Sequence, residues 1–232
     1  MDATHAIKSE PSTSTSQPAL ALVGVRLEAI TVAWMTVEAA VAIGAGVVAH
    51  SALLVAFGLD SVLELVTGAA LLWRLWTEQR GASLARVGQA ERVAAWITGI
   101  GLTLLCVYIV AIALLNLVTR AEASPSLVGL ALAAAATVGM PALAWRKRVI
   151  ARQLNSAALR GDAACSLTCA YMAGALLIGL ALHMLLGWWW VESVALLAFL
   201  YWLIPEAREA IEGARAGRAA CSCGDDLCPD ND

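Results

Sequence analysis

The residues best placed to do chemistry in this chain are two acids one helical turn apart, Asp60 and Glu64, in the run AFGLDSVLELVTG. Residues four apart on a helix stack on one face, so both carboxylates point the same way. Their neighbours are apolar enough to sit in a membrane, where a charged side chain near the centre costs roughly 2.5–3.5 kcal/mol even on lenient insertion scales. Two acids on one stripe therefore require an internal partner, either a cation or protons; the competing reading is a structural pair hydrogen-bonded to a neighbouring helix. A second set follows at Asp162, Cys165 and Cys169, spaced i, i+3 and i+7 and so on a single helical face. Either cysteine alone would read as packing, because cysteine is common in apolar cores. Facing the first pair, the set could complete the four oxygen and sulfur ligands that zinc prefers. Ser166 and Thr168 would then be supporting donors.

The elements that must position these groups follow from composition. Of 232 residues, 60% are apolar and only 14% charged, with a mean hydropathy of +0.76. Soluble domains run nearer 45–50% apolar and about 25% charged. The chain therefore reads as an all-α, polytopic membrane protein. A membrane β-barrel is excluded, because the apolar runs are long and unbroken rather than alternating. Six spans are expected, over residues 30–48, 51–73, 93–118, 127–145, within 154–186, and 190–204. The last is short unless its helix continues past Pro205. Residues 1–21 read as a disordered arm, 22–213 as the six-helix transmembrane domain, and 214–232 as a Cys- and Asp-rich tail.

Orientation follows from the basic residues. With six spans, every Lys and Arg except Arg120 falls on one side together with both termini. The positive-inside rule makes that side cytoplasmic. Trp188, Trp189 and Trp190 fit an aromatic anchor at the outer interface, and Trp73 and Trp76 one at the inner. The fourth span, with LALAAAATVG, has the small residues that let membrane helices approach closely. No nucleotide-binding loop, hydrolase elbow or haem motif is present, and nothing indicates a nucleic-acid partner.

The segment GVVAHSALLVAFGLDSVLELVTG resembles the second-helix region of the cation diffusion facilitators. LNSAALRGDAACSLTCAYMAG and the following GWWWVESVALLAFLYWL resemble their fifth and sixth helices. The likeness covers all six spans, roughly residues 22–213, and is closest to the bacterial branch. It implies a homodimeric exporter of divalent metals, usually zinc, exchanged for protons across the cell (inner) membrane. It also implies a site built from two residues four apart on helix two and two residues four apart on helix five. Asp60 and Glu64 match the first pair. For the second, the usual His-xxx-Asp is absent. Aligning on Gly187 and Trp188 points to Cys165 and Cys169, whereas aligning on Leu154 and Asn155 favours Asp162.

The family usually ends in a folded cytoplasmic domain, and the nineteen residues after Gly213 are too few for one. They include CSCGDDLCPDND, in which Cys221, Cys223 and Cys228 beside Asp225 and Asp226 form either a thiolate metal trap or an acidic tail with incidental thiols. Glu38, at a depth close to that of Asp60, is an accessory candidate for metal or protons, with a helix-packing hydrogen bond as the competing reading. His50 and His183 read as interfacial, and Cys106, Asn116 and Glu192 as structural. The leading expectation is proton-coupled export of Zn²⁺, with Cd²⁺ and Co²⁺ also carried, as transported substrate rather than cofactor. The alternative is a non-transporting membrane metal sensor or thiol-redox protein working through its tail.

Overall fold

A computed structural model describes residues 17–79, 84–154 and 157–216, and among them the chain forms six α-helices and no strand. They are α1 (Gln17–Ala49), α2 (Ala52–Gln79), α3 (Leu84–Thr119), α4 (Leu127–Leu154), α5 (Ala157–Leu186) and α6 (Val191–Ala216). Five of them, α1 to α5, carry a stretch long and apolar enough to cross a membrane. The sixth falls short on that measure because its second half holds Glu206, Arg208, Glu209, Glu212 and Arg215. The architecture is that of a polytopic all-α membrane protein.

Every helix but α5 runs further on the basic side than its apolar run alone indicates. Backbone groups at membrane depth must bond within their own helix, and a helix once formed extends at little cost into charged sequence. So α1 already begins at Gln17, inside the stretch expected to be a disordered arm. On the same side α6 continues through Pro205, whose missing N–H leaves one carbonyl of the preceding turn unpaired but does not end the helix. Residues 1–16 and 217–232, including Cys221, Cys223 and Cys228, lie outside the described residues.

The helices pair α1 with α2, α4 with α5 and α3 with α6, and α2 also packs against α3, α5 and α6. That central place puts the Asp60–Glu64 face inside the protein. The core around it is built from Leu53, Leu54, Phe57, Leu102, Ile109, Met172, Leu176 and Phe199. Large apolar residues such as Val48, Val118 and Leu185 are exposed on the outer surface, as a lipid-facing wall requires. At the outer end, Glu192 of α6 accepts hydrogen bonds from Ser51 Oγ and, at 3.1 Å, from the Leu53 N–H. It thereby fixes the N-terminus of α2, where a negative charge is favourable. Glu192 is structural, as its sequence position indicated.

The α1–α2 contact depends on two glycines. A β-carbon at Gly46 would lie 2.8 Å from the Val55 backbone nitrogen, and one at Gly58 would lie 2.9 Å from that of Ile43. Nothing lies within 4 Å of the same position at Gly44. Gly58→Val is expected to cost about 1–3 kcal/mol by forcing α1 and α2 apart. Gly44→Ala should be neutral or slightly stabilising. Thermal unfolding of both variants in one detergent checks this, and equal melting temperatures would count against the close contact.

Candidate metal site

α2 carries Asp60 and Glu64 into the interior, where they are 0% and 6% exposed. None of their four carboxylate oxygens has a hydrogen-bond partner among the described residues, and no Lys or Arg pairs with them there. Leaving such groups buried and unpaired costs several kcal/mol per charge, so the pair is unstable as two bare anions.

Glu38 of α1 is the contrast. It is equally buried, yet it accepts hydrogen bonds from Trp34 Nε1 at 2.6 Å and from Ser61 Oγ at 2.8 Å, with the Cys169 thiol at 3.7 Å. Ser61 lies next to Asp60 in sequence, so Glu38 ties α1 to the acid-bearing stretch of α2. Its oxygens are occupied, whereas those of Asp60 and Glu64 are open.

Cys169 is the α5 residue brought to this group. It is fully buried, contacts Glu38, and faces Glu64 and Asp60 without making a well-directed hydrogen bond to either. Cys165, one turn earlier, is also buried. Asp162 is engaged elsewhere. Its carboxylate contacts Lys147 Nζ, and Lys147 Nζ lies 3.0 Å from Glu28 Oε2. This ion cluster joins α1, α4 and α5 two turns along α5 from Cys169, roughly 10 Å away by helical rise.

Two further groups near the pair were not expected from sequence as site residues. Glu206 of α6 has a buried carboxylate oxygen with no hydrogen-bond partner among the described residues, and its charge acts on both Asp60 and Glu64. The signal was present in the sequence, because Glu206 lies one turn past the buried Leu203. It was lost by ending the span at Ile204. The other is Cys106 of α3, read as structural, which is half-buried and feels the charges of Asp60 and Glu206. His183 instead uses its ring nitrogens at the outer end, with Nε2 3.0 Å from the Ala123 carbonyl.

Among the described residues no three His, Cys, Asp or Glu side chains converge tightly enough to hold a metal ion as they stand. Carboxylates without a cation between them repel, so an open arrangement is the one expected before an ion is bound.

Six packed helices around a buried, unpartnered carboxylate pair make a multi-pass membrane protein with a polar interior. The chain matches the family model of the cation efflux transmembrane domain over residues 29–213, and it belongs to the cation diffusion facilitator family. The coarse function is thus metal cation export by a transporter rather than catalysis by an enzyme. Comparison with individually curated proteins gives no significant match.

The placement of the two α5 cysteines makes a selectivity prediction. Thiolates favour softer ions and carboxylates harder ones. Cys169→Ser should lower Cd²⁺ transport more than Zn²⁺ or Co²⁺ transport, while Cys165→Ser should change the order of the three little. Metal uptake into inverted vesicles measures this, and equal sensitivity of all three ions to Cys169→Ser would exclude that thiol as a ligand.

Proposed function

We propose that this protein exports divalent transition-metal cations, Zn²⁺ foremost with Cd²⁺ and Co²⁺ accepted, from the cytoplasm in exchange for protons. Asp60 and Glu64 are the principal ligands, and Cys169 is the soft donor from α5. One observation carries the reading: all four oxygens of a buried carboxylate pair are unpartnered among the described residues, while the neighbouring Glu38 is fully engaged.

Such a pair can be neutralised in two ways, by a dication or by protons. Ligands must lose their protons to bind the ion, so metal and protons exclude one another. That exclusion is the coupling. An ion entering from the cytoplasm draws the two carboxylates and the thiol together and releases their protons. Rearrangement of the helices then opens the site outward, where protons displace the ion. Glu38 holds α1 against α2 throughout, so it acts as a positioning residue. By family resemblance the working unit is a pair of identical chains.

Two tests follow. Asp60→Asn and Glu64→Gln keep side-chain size but remove charge, and each should reduce zinc transport in proteoliposomes to background with the melting temperature maintained or raised. Wild-type flux in both variants would remove the central pair from the account. The sign of the pH effect is also fixed: protons compete with metal, so apparent zinc affinity must weaken as pH falls from about 8 to about 6. A proton gradient directed opposite to the metal flux must accelerate that flux. Flat affinity with no gradient response would contradict exchange.

A further inference from the structure

Among the described residues, the Glu28–Lys147–Asp162 cluster is a buried charged group that the proposed cycle leaves unused. Glu28 and Lys147 are both 0% exposed, and Asp162 and Ser166 are nearly so. Lys147 Nζ lies at the centre of an oxygen cage. Glu28 Oε2 is 3.0 Å away, Asp162 Oδ2 is in contact, and Ser166 Oγ accepts a hydrogen bond from it at 3.3 Å. The Ser166 hydroxyl donates to the Asp162 carbonyl at 3.0 Å, which leaves its lone pairs turned to the cage.

Two features mark this as a cation site and not only a pair of salt bridges. First, the ammonium leaves an acceptor unused: Glu28 is 0% exposed, its Oε2 lies 3.0 Å from Lys147 Nζ, and its Oε1 has no hydrogen-bond partner among the described residues. Two carboxylates and a hydroxyl oxygen are also donors that suit a divalent cation. Second, the cage lies in line with the central pair. Asp60, Glu64 and Gly68 share one face of α2 at four-residue spacing. A β-carbon at Gly68 would sit 3.0 Å from Glu28 Oε1. The orphan oxygen therefore lies beside the turn of α2 just below Glu64. On α5, Asp162, Ser166 and Cys169 likewise share one face, leading from the cage to the central site.

We infer that Glu28, Asp162 and Ser166 form a second divalent-cation site in series with Asp60 and Glu64, on its cytoplasmic side, and that Lys147 is a tethered cation which an incoming metal displaces. Lys147 lies between Arg146 and Arg148 near the basic end of α4, so its long side chain can swing its ammonium to the aqueous boundary. Its return to the cage would close the path behind an ion that has moved on to Glu64. This rests on the proposed export of divalent cations through the central pair.

The test reads the position of the lysine. The chain has only two lysines, Lys8 and Lys147. Full-length protein in nanodiscs is treated briefly with an amine-acetylating reagent, with and without Zn²⁺, and labelling of each lysine is measured by mass spectrometry. Zinc should raise labelling of Lys147 several-fold and leave Lys8 unchanged, both in the wild type and in the D60N/E64Q double variant. Glu28→Gln and Asp162→Asn should each abolish the rise. In the D60N/E64Q background, Lys147→Gln should tighten zinc binding several-fold, because the internal competitor is gone. A rise that disappears in D60N/E64Q, no rise at all, or unchanged or weaker zinc binding by Lys147→Gln would each overturn the inference. If D60N/E64Q transports zinc normally while Lys147 still responds, the proposed central site fails and this second site stands.

Discussion

The structure depends on one constraint: two carboxylates are buried side by side in a low-dielectric interior with no described residue to satisfy them. Both oxygens of Asp60 and of Glu64 are open, and so is one of Glu206, whereas Glu38 has its three donors, Glu192 the N-terminus of α2, and Glu28 and Asp162 the lysine. A protein can hold such a pair only if its other contacts outweigh a penalty of several kcal/mol. The close α1–α2 crossing at Gly46 and Gly58, and the placing of α2 against four neighbours, are where those contacts are made. Lipid offers no hydrophobic drive to join helices, so this packing has to come from fit between surfaces.

The same constraint organises the inside of the bundle into levels. Glu192 fixes the outer end of α2, Glu38 and Ser61 bind α1 to α2 at mid-depth, and Lys147 gathers α1, α4 and α5 towards the basic end. Each level joins helices by a buried polar contact, and such contacts are costly when broken on one side only. The open carboxylates lie beside the middle level. An ion entering there meets ligands whose supporting helices are already held in register, so that only side chains need to move.

Much of this was legible in the sequence, and what was not has a physical reason. The spans were readable because unbroken apolar runs of membrane length are rare outside a bilayer, and Asp60 and Glu64 because a four-residue spacing fixes their common face. Helix ends were less readable, since hydropathy reports where lipid is and not where helix stops. That is why α6 seemed to end at Ile204 and Glu206 was missed. Asp162 was readable as a buried acid on the face of Cys169, but its partner was not. Lys147 stands fifteen residues earlier, in a basic run that serves equally well as a topology signal. Only the folded packing of α4 on α5 reveals that its side chain turns inward. The cysteine-rich tail lies outside the described residues, so its role rests on the sequence alone.

The central claim is that metal and protons are alternative neutralisers of one buried carboxylate pair. Its most direct test is the count of protons released when Zn²⁺ is added to the purified protein in weakly buffered solution. The account predicts release of about three protons for each ion bound at the central site, one from each carboxylate and one from the Cys169 thiol, because its ligands must deprotonate to bind metal. That release should be lost in the D60N/E64Q variant. Tight zinc binding without proton release, or the same release after both acids are replaced, would contradict it.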